Sequence, residues 1–450
     1  MISRLSDEAL IDILSYLSLK EAVMTSVLSR RWRYLWRYTY RRWDFDVSNN
    51  TSLFLMSCNG NPRHVVRSKY VQWVSTVLQL HLGSHLDELR IRFDMDNVIR
   101  NSPGLVWWLV FACLKRVQRL EVDLSNRLGI NTLREDKALF PSPAGLSLYR
   151  CCKLNLPPSP FPCPILDFSS LISLSLNYVN VYADTLAHLL SNCPLLRHLS
   201  VKSSDTMYSS NKNLPPFKST SLESLEIVQS NFMQKEMEIC APNLVSFAFV
   251  GRNIAISFKN AVSSSLTELT VGMDYGVSFL LDPFKQHSIF LSQIEKLKMV
   301  FNDTARCFLG KTVPSKFPNM NNLKYLEVRW EASGSSSFLF PLTLVKAAPS
   351  LCTLKIEMVL SQPFASEAEL DREHPVATRT QHKCLKRVEL VGFYSCAVTL
   401  CMLSRLINIA GVSLEKVMIK FDAENRSFFA LQRLKAVTDN LSSTVELMVS

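Results

Sequence analysis

Apolar positions recur along this chain with two different periods. Near the start the period is helical. Leu10, Ile13, Leu14 and Leu17 fall on one face, with Asp12 and Ser15 between them. Ser6 followed by Asp7 and Glu8 supplies an N-cap and an acidic first turn, which suit the positive end of a helix dipole. Ser18-Leu19-Lys20-Glu21 is a capping box that starts a second helix, continued by Ala22, Val23 and Ser26. A third segment, Ser29 to Trp36, sets Trp32, Leu35 and Trp36 on one side and Arg30, Arg31, Arg33 and Arg37 on the other. Three helices in about 36 residues are too few to bury that apolar surface among themselves. Part of the set Leu5, Leu10, Leu14, Val27, Leu28 and Trp32 is therefore expected to pack on something else.

Residues 47–66 are polar, with Asn49-Asn50 and Asn59-Gly60-Asn61-Pro62 as turn signals. Tyr70, Val71, Val74, Val77 and Leu78 then return to a helical period. From residue 86 a new unit, L-x-x-L-x-L with apolar exchanges, repeats to the end. It appears as Leu86-Leu89-Ile91 and Val117-Leu120-Val122, with a possible copy at Cys151-Leu154-Leu156. From Leu171-Leu174-Leu176 to Leu414-Val417-Ile419 the copies follow at steps of 22 to 34 residues. That spacing is in the leucine-rich-repeat range, with insertions. Asp184 to Leu190 is the clearest helical piece between strands, ended by Asn192-Cys193-Pro194. Asn177, Asn231, Asn253 and Asn302 sit near the bends after strands, where a side-chain amide can serve backbone groups. Residues 362–381 carry Pro363, Pro375 and many charges without an apolar period, and read as an exposed insertion.

One strand with its helix or turn does not bury its own apolar face; stacking such units does. The expected fold is α/β: three helices, then a solenoid with a curved parallel sheet and helices on the convex side. Alternation along each strand sends Arg90, Arg92, Ser173, Ser175, His198, Lys202, Lys296, Lys298, Glu327, Arg329, Lys355, Glu357, Lys416 and Lys420 outward, onto a mildly basic concave face.

Composition narrows the function. Apolar residues make up 47% and charged residues 20%, a folded chain with no disordered character. Fifty Lys+Arg against 39 Asp+Glu give +11, too dilute to mark a nucleic-acid binder. The longest apolar run, Leu105 to Leu114, is half of what a bilayer needs, and Asp7, Glu8 and Asp12 stand where a secretory signal is basic and then apolar. Twelve cysteines in such a context read as reduced, mostly buried thiols of an intracellular protein. No CxxC pair is present, so no metal site is expected.

The segment ISRLSDEALIDILSYLSLKEAVMTSVLSRRWRYLW resembles the plant F-box, departing from it at Ser6, where the family usually has Pro. RYTYRRWDFD is similar to the usual continuation into the repeats. His382 to Ile419 is similar to the FBD-type ending of plant F-box/leucine-rich-repeat proteins, and FFALQRLKAVTDNLSSTVELMVS to that family's final helix and strand. The resemblance implies an F-box over 1–46, a linker with a helix over 47–82, a repeat solenoid over 83–380 and FBD-like repeats with a cap over 381–450. It also implies a non-catalytic substrate receptor of an SCF-type cullin-RING ubiquitin ligase in the nucleus or cytoplasm. Its F-box would hold a Skp-family adaptor through Leu5, Leu10, Ile13, Leu14, Leu17, Val27, Leu28, Trp32 and Leu35. The solenoid would hold the protein to be ubiquitinated. No cofactor, nucleic acid or membrane is implied.

Other readings stand beside this one. The alternative is an adaptor-binding scaffold that acts outside ubiquitination. An enzyme is disfavoured, since G-x-S-x-G, the Walker loop, H-E-x-x-H and G-x-G-x-x-G are all absent. The arginines from 30 to 42 read as a solvated face, because Asp44 and Asp46 follow and no aromatic-basic alternation continues. His81 and His85 have i, i+4 metal spacing but no third ligand, and read as exposed or capping residues. Cys151-Cys152, Cys193 and Cys240 read as packing residues. On the sheet, Arg90, Arg92, His198, Lys202, Lys296, Lys298 and Arg329 are the candidate substrate-facing residues. The basic ones suit an acidic or phosphorylated segment, or an anionic small molecule, as readily as plain solvent.

Overall fold

The computed structural model describes residues 4–46, 63–93, 103–125, 168–179, 181, 183–204, 214–230, 234–259, 265–281, 291–301, 317–332, 340–360, 382–393, 397–421, 428–438 and 445–449. Residues 47–62, Cys151, Cys152, Leu154, Leu156, Asn231, Asn302 and the insertion 362–381 lie outside them. The chain forms two units, Met1–Asn243 and Leu244–Ser450.

The first unit holds helices α1 (Asp7–Leu14), α2 (Leu19–Met24), α3 (Arg63–Gln79), α4 (Pro103–Leu114) and α5 (Ala183–Asn192). Its strands are β1 (Arg42–Asp46), β2 (Glu88–Arg92), β3 (Arg119–Asp123), β4 (Ser173–Asn177), β5 (His198–Lys202), β6 (Phe217–Lys218), β7 (Ser224–Ser230) and β8 (Glu236–Cys240). Strands β1, β2, β3, β4, β5 and β7 pair in parallel in that order, while β6 pairs with β8. The register stacks equivalent repeat positions: Leu89, Leu120, Leu174, Leu199 and Leu225 form one continuous buried ladder. The sheet starts earlier than the repeat pattern. β1 lies inside the segment read as the F-box, and Trp43 and Phe45 occupy the ladder positions of Leu89 and Ile91.

The second unit holds β9 (Ser246–Gly251), β10 (Ala255–Phe258), β11 (Glu268–Gly272), β12 (Lys296–Phe301), β13 (Tyr325–Ala332), β14 (Thr353–Leu360), β15 (Arg387–Phe393), β16 (Lys416–Phe421) and β17 (Glu446–Val449). All but β10 pair in parallel in chain order. Helices α6 (Met273–Leu281), α7 (Phe340–Ala347), α8 (Ala397–Ala410) and α9 (Phe428–Thr438) alternate with them, so the FBD-like ending continues the strand-and-helix repeat.

The chain leaves several strands through a left-handed residue. Tyr178, Ser203, Gln229 and Met273 have φ of 58°, 53°, 51° and 54°, each two positions after the last apolar residue of its motif. The expected bend asparagines do not fill this position. Asn177 ends β4 instead and donates from Nδ2 to Asp123 Oδ1 at 3.0 Å. Buried serines finish the corner: Ser204 Oγ accepts from Val181 N at 3.0 Å, and Ser230 Oγ accepts from Ser204 N at 3.2 Å.

His81 departs from its expected exposure. It is buried behind Trp43, whose ring centroid is 4.7 Å away and edge-on, and behind Phe111 at 5.8 Å. His85 is exposed and stands 5.1 Å from the Tyr40 ring. Among the described residues no helix is long and apolar enough to cross a membrane, and no group of three His, Cys, Asp or Glu is placed to hold a metal.

Candidate docking faces at the N-terminus and on the sheet

The first candidate site is the N-terminal helical segment. Ser6 caps α1 by accepting from Ala9 N at 3.3 Å. Ser18 and Glu21 form the capping box of α2: Glu21 N donates to Ser18 Oγ at 3.3 Å, and Ser18 N donates to Glu21 Oε2 at 2.9 Å. Those bonds to Ser18 hold the Glu21 carboxyl below the usual carboxylate range. The third helix takes 3-10 form over Trp32–Tyr38. Arg31 ties the segment together, donating from Nε to Asp7 Oδ1 at 2.7 Å and from a guanidinium nitrogen to Leu5 O.

This geometry sorts the nine predicted adaptor residues into two groups. Leu10, Leu14 and Leu35 form a closed core at 0%, 1% and 6% exposure, with Ile11 and Trp32 packed against it. They are not surface residues, which corrects the expectation for these three. The i, i+4 pair Leu10 and Leu14 points inward from α1 and meets Leu35 of the 3-10 helix, and that closure is what makes the segment a folded unit. Leu5, Ile13, Leu17, Val27 and Leu28 are exposed, Val27 at 86% and Leu28 at 64%. Tyr16, Val23, Met24 and Tyr34 are exposed too and were missed. The signal was in the helical period: Val23 and Met24 flank the buried Ala22 on α2.

The second candidate site is the polar side of the sheet. Alternation puts the predicted residues there, and each cation among them meets a carboxylate. Arg90 lies 3.0 Å from Glu121 and 3.4 Å from Asp44, and Arg92 bridges Glu121 and Asp46. Lys202 pairs with Glu226 at 3.0 Å. In the second unit Lys296 pairs with Glu268, Lys298 with Glu327 at 3.0 Å and Arg329 with Glu357 at 3.6 Å. His198 is exposed, in register between Ser173 and Ser224, and forms none of these pairs. The face is thus charge-balanced where a basic one was expected. Glu121 sits in register with Arg90 and Glu327 with Lys298, one strand over, so the register brings the two signs together there.

Glu327 is the most buried of the glutamates on this face. Burial pushes its carboxyl up, but the Lys298 ammonium, the Tyr325 hydroxyl and the Lys355 charge outweigh that and hold it below its ordinary range. Burial and the neighbouring Glu327 push the Tyr325 hydroxyl up to about 12. None of these groups forms a nucleophile-and-base pair of the kind covalent catalysis uses.

Comparison with known families agrees with both parts of this architecture. The F-box domain family matches residues 2–44, and the family described as "At1g61320/AtMIF1, LRR domain" matches residues 77–439. Among similar proteins of Arabidopsis thaliana, the F-box/FBD/LRR-repeat protein At1g13570 is 26% identical over 82% of this chain and 78% of its own length. F-box protein At3g62230 is 24% identical over 93% of this chain and 90% of its own. F-box/FBD/LRR-repeat protein At5g22660 is 24% identical over 86% and 81%. An F-box ahead of leucine-rich repeats is the domain organisation of an SCF substrate adaptor. With its helical segment, its stacked parallel sheet and these matches, the chain belongs to the plant F-box/leucine-rich-repeat family and carries an FBD-like C-terminal region.

Proposed function

We propose that this chain is the substrate-recognition subunit of an SCF-type cullin-RING ubiquitin ligase. The helical segment docks on a Skp-family adaptor through Leu5, Ile13, Leu17, Val27 and Leu28, with Trp32 at the edge of its core. The polar side of the repeat sheet holds the protein to be ubiquitinated. One observation carries the reading: the segment has closed its own core with Leu10, Leu14 and Leu35 and still exposes a set of large aliphatic side chains. Removing each from water contributes roughly 1.5–3 kcal/mol, enough for a few of them to anchor an interface.

The chain itself breaks no bond in this reading. It raises the concentration of client lysines near a ligase-bound ubiquitin, which is catalysis by proximity. The test is reconstitution with an adaptor, a cullin-RING core and candidate clients captured from cells under proteasome inhibition. Assembly of the complex with ubiquitin transfer to a bound client is the expected result. Assembly without transfer to any bound client points to an adaptor-binding scaffold. Absence of assembly overturns the reading.

A further inference from the structure

We infer that the last strands of the second unit hold an extended client segment in which a carboxylate and a large apolar side chain stand two residues apart. The carboxylate meets Arg387, and the apolar side chain lies on Met418 and Met448. The inference rests on the client-receptor reading above and names the client chemistry read at one place on the sheet.

Arg387 is the exception among the outward cations of this unit. Lys296, Lys298, Arg329, Lys355, Lys416 and Lys420 each stand within ion-pair reach of a glutamate. Arg387 opens β15, is exposed, and has no carboxylate partner among the described residues. The glutamates around it are engaged elsewhere: Glu389 with Lys420 at 2.9 Å, Glu415 with Lys386 at 2.8 Å and Glu446 with Lys416 at 3.0 Å. Arg387 stands in register with Thr353 of β14, which brings a hydroxyl to the same row, and with Lys416 of β16.

The charged pattern also stops at this place. Along the next outward row, Lys298, Glu327, Lys355 and Glu389 follow one another across β12 to β15, and β16 and β17 then put Met418 and Met448 in register. Met418 is half-buried and Met448 is exposed. Val391, outward on β15 and in register with Lys420, borders them. Thioether side chains are flexible and polarisable, and fit apolar groups of different shape.

Charge and spacing together identify the occupant. An unneutralised planar guanidinium takes a carboxylate through two parallel hydrogen bonds. One free cation balances one carboxylate, whereas a phosphate dianion would set a second negative charge against Glu389 and Glu446, whose cations are already used. In an extended segment residues i and i+2 share a side about 6.6 Å apart, and neighbouring strands lie about 4.8 Å apart. A segment crossing from β15 to β16 therefore reaches Arg387 with one side chain and Met418 with the other.

The test is selection of a phage-displayed random heptapeptide library on the full-length chain, with affinities then measured for the synthesised winners. Arg387 has no side-chain partner to lose, so Arg387→Gln asks nothing of the fold. Enriched peptides are expected to carry Asp or Glu two residues from Leu, Met or Phe, and to bind Arg387→Gln and Met418→Thr each about tenfold more weakly. Lys346→Gln, which removes a charge from α7, should stay within about twofold of the wild type. Enrichment without that pattern, or affinity unchanged in Arg387→Gln, overturns the site. A phosphoserine peptide that binds more tightly than its glutamate counterpart overturns the carboxylate in favour of phosphate. Self-association of the wild type that Arg387→Gln abolishes overturns the client in favour of a second copy of this chain. Grafting a winning peptide onto a lysine-bearing reporter separates this inference from the receptor reading. A reporter that binds through Arg387 but receives no ubiquitin in the reconstituted ligase supports the site and overturns the reading. Transfer to captured clients that is unchanged in Arg387→Gln overturns the site alone.

Discussion

His81 Nε2 lies 3.1 Å from the carbonyl oxygen of Thr39, so a buried imidazole of the first repeat holds the point where the helical segment passes into the sheet. Trp43 Nε1 donates to Thr39 Oγ1 at 3.0 Å, and Tyr40 N donates to Ser15 Oγ at 3.2 Å. The backbone continues the seam, with Asp87 N donating to Tyr40 O and Glu88 N to Arg41 O. The segment, β1 and the first repeat are thus joined by hydrogen bonds on both sides of the covalent connection.

That imidazole makes stability depend on pH. Burial, then the Lys115 charge and His85, push His81 down from 6.5 to about 4, against the pull of the Thr39 carbonyl. Between those values the unfolded chain takes a proton that the folded chain refuses, so stability falls as pH falls through the window. The loss amounts to roughly 3 kcal/mol. Urea midpoints of the wild type and of His81→Gln at pH 7 and pH 4.5 check it. The wild type should lose more than the variant across that step; parallel losses would show that His81 does not carry the dependence.

Core and docking residues of the helical segment should separate cleanly. Leu14→Asp buries a charge at a position 1% exposed and should melt the segment, seen as lost helical circular dichroism. Val27→Asp, at 86% exposure, should leave the spectrum and the melting point unchanged while adaptor pull-down is lost. An unchanged pull-down for Val27→Asp would remove that residue from the docking face.

Ser204→Ala should cost about 1–3 kcal/mol, because the buried Val181 N–H then loses the Ser204 hydroxyl that accepts from it. Ser200→Ala, which removes only a bond from Ser200 Oγ to Glu226 on the polar side of the sheet, is the control and should stay near the wild-type midpoint.

Gly392→Ala should cost about 1–3 kcal/mol. Its φ is +67°, and a Cβ there would meet the Met358 carbonyl oxygen on the neighbouring strand. Gly392 also lies within the register shift between Val391 and Phe393, where β15 pairs with β16. A urea midpoint equal to the wild type would mean that the two strands move apart at no cost.

Much of this was legible from local patterns. The Ser6 cap and the Ser18–Glu21 box predicted where α1 and α2 begin, and L-x-x-L-x-L placed the inward residues of nearly every described strand. β1 was harder to see, because its Trp43 and Phe45 stand where most other repeats have aliphatic residues, in the continuation of the F-box ahead of the first repeat motif. The left-handed corner was legible only in part. An asparagine was expected there, but the backbone turn tolerates Tyr178 and Gln229, so residue type gave no warning. His81 was misplaced for a related reason: neither ring nitrogen's surroundings can be read from a sequence spacing of four.

The order of apolar and polar residues by itself determined the helices, the strands, the side of each strand that faces the core and the stacking of one repeat on the next. These follow from the turn of a helix and the pleat of a strand, which act over a few neighbouring residues. Only the tertiary structure decided which greasy residues of the N-terminal segment satisfy one another, as Leu10, Leu14 and Leu35 do, and which are left for a partner. It also decided that Arg90, Arg92 and Lys298 are already paired with carboxylates. Those outcomes depend on groups far apart in the chain meeting at a few ångströms, and no local period encodes such a distance.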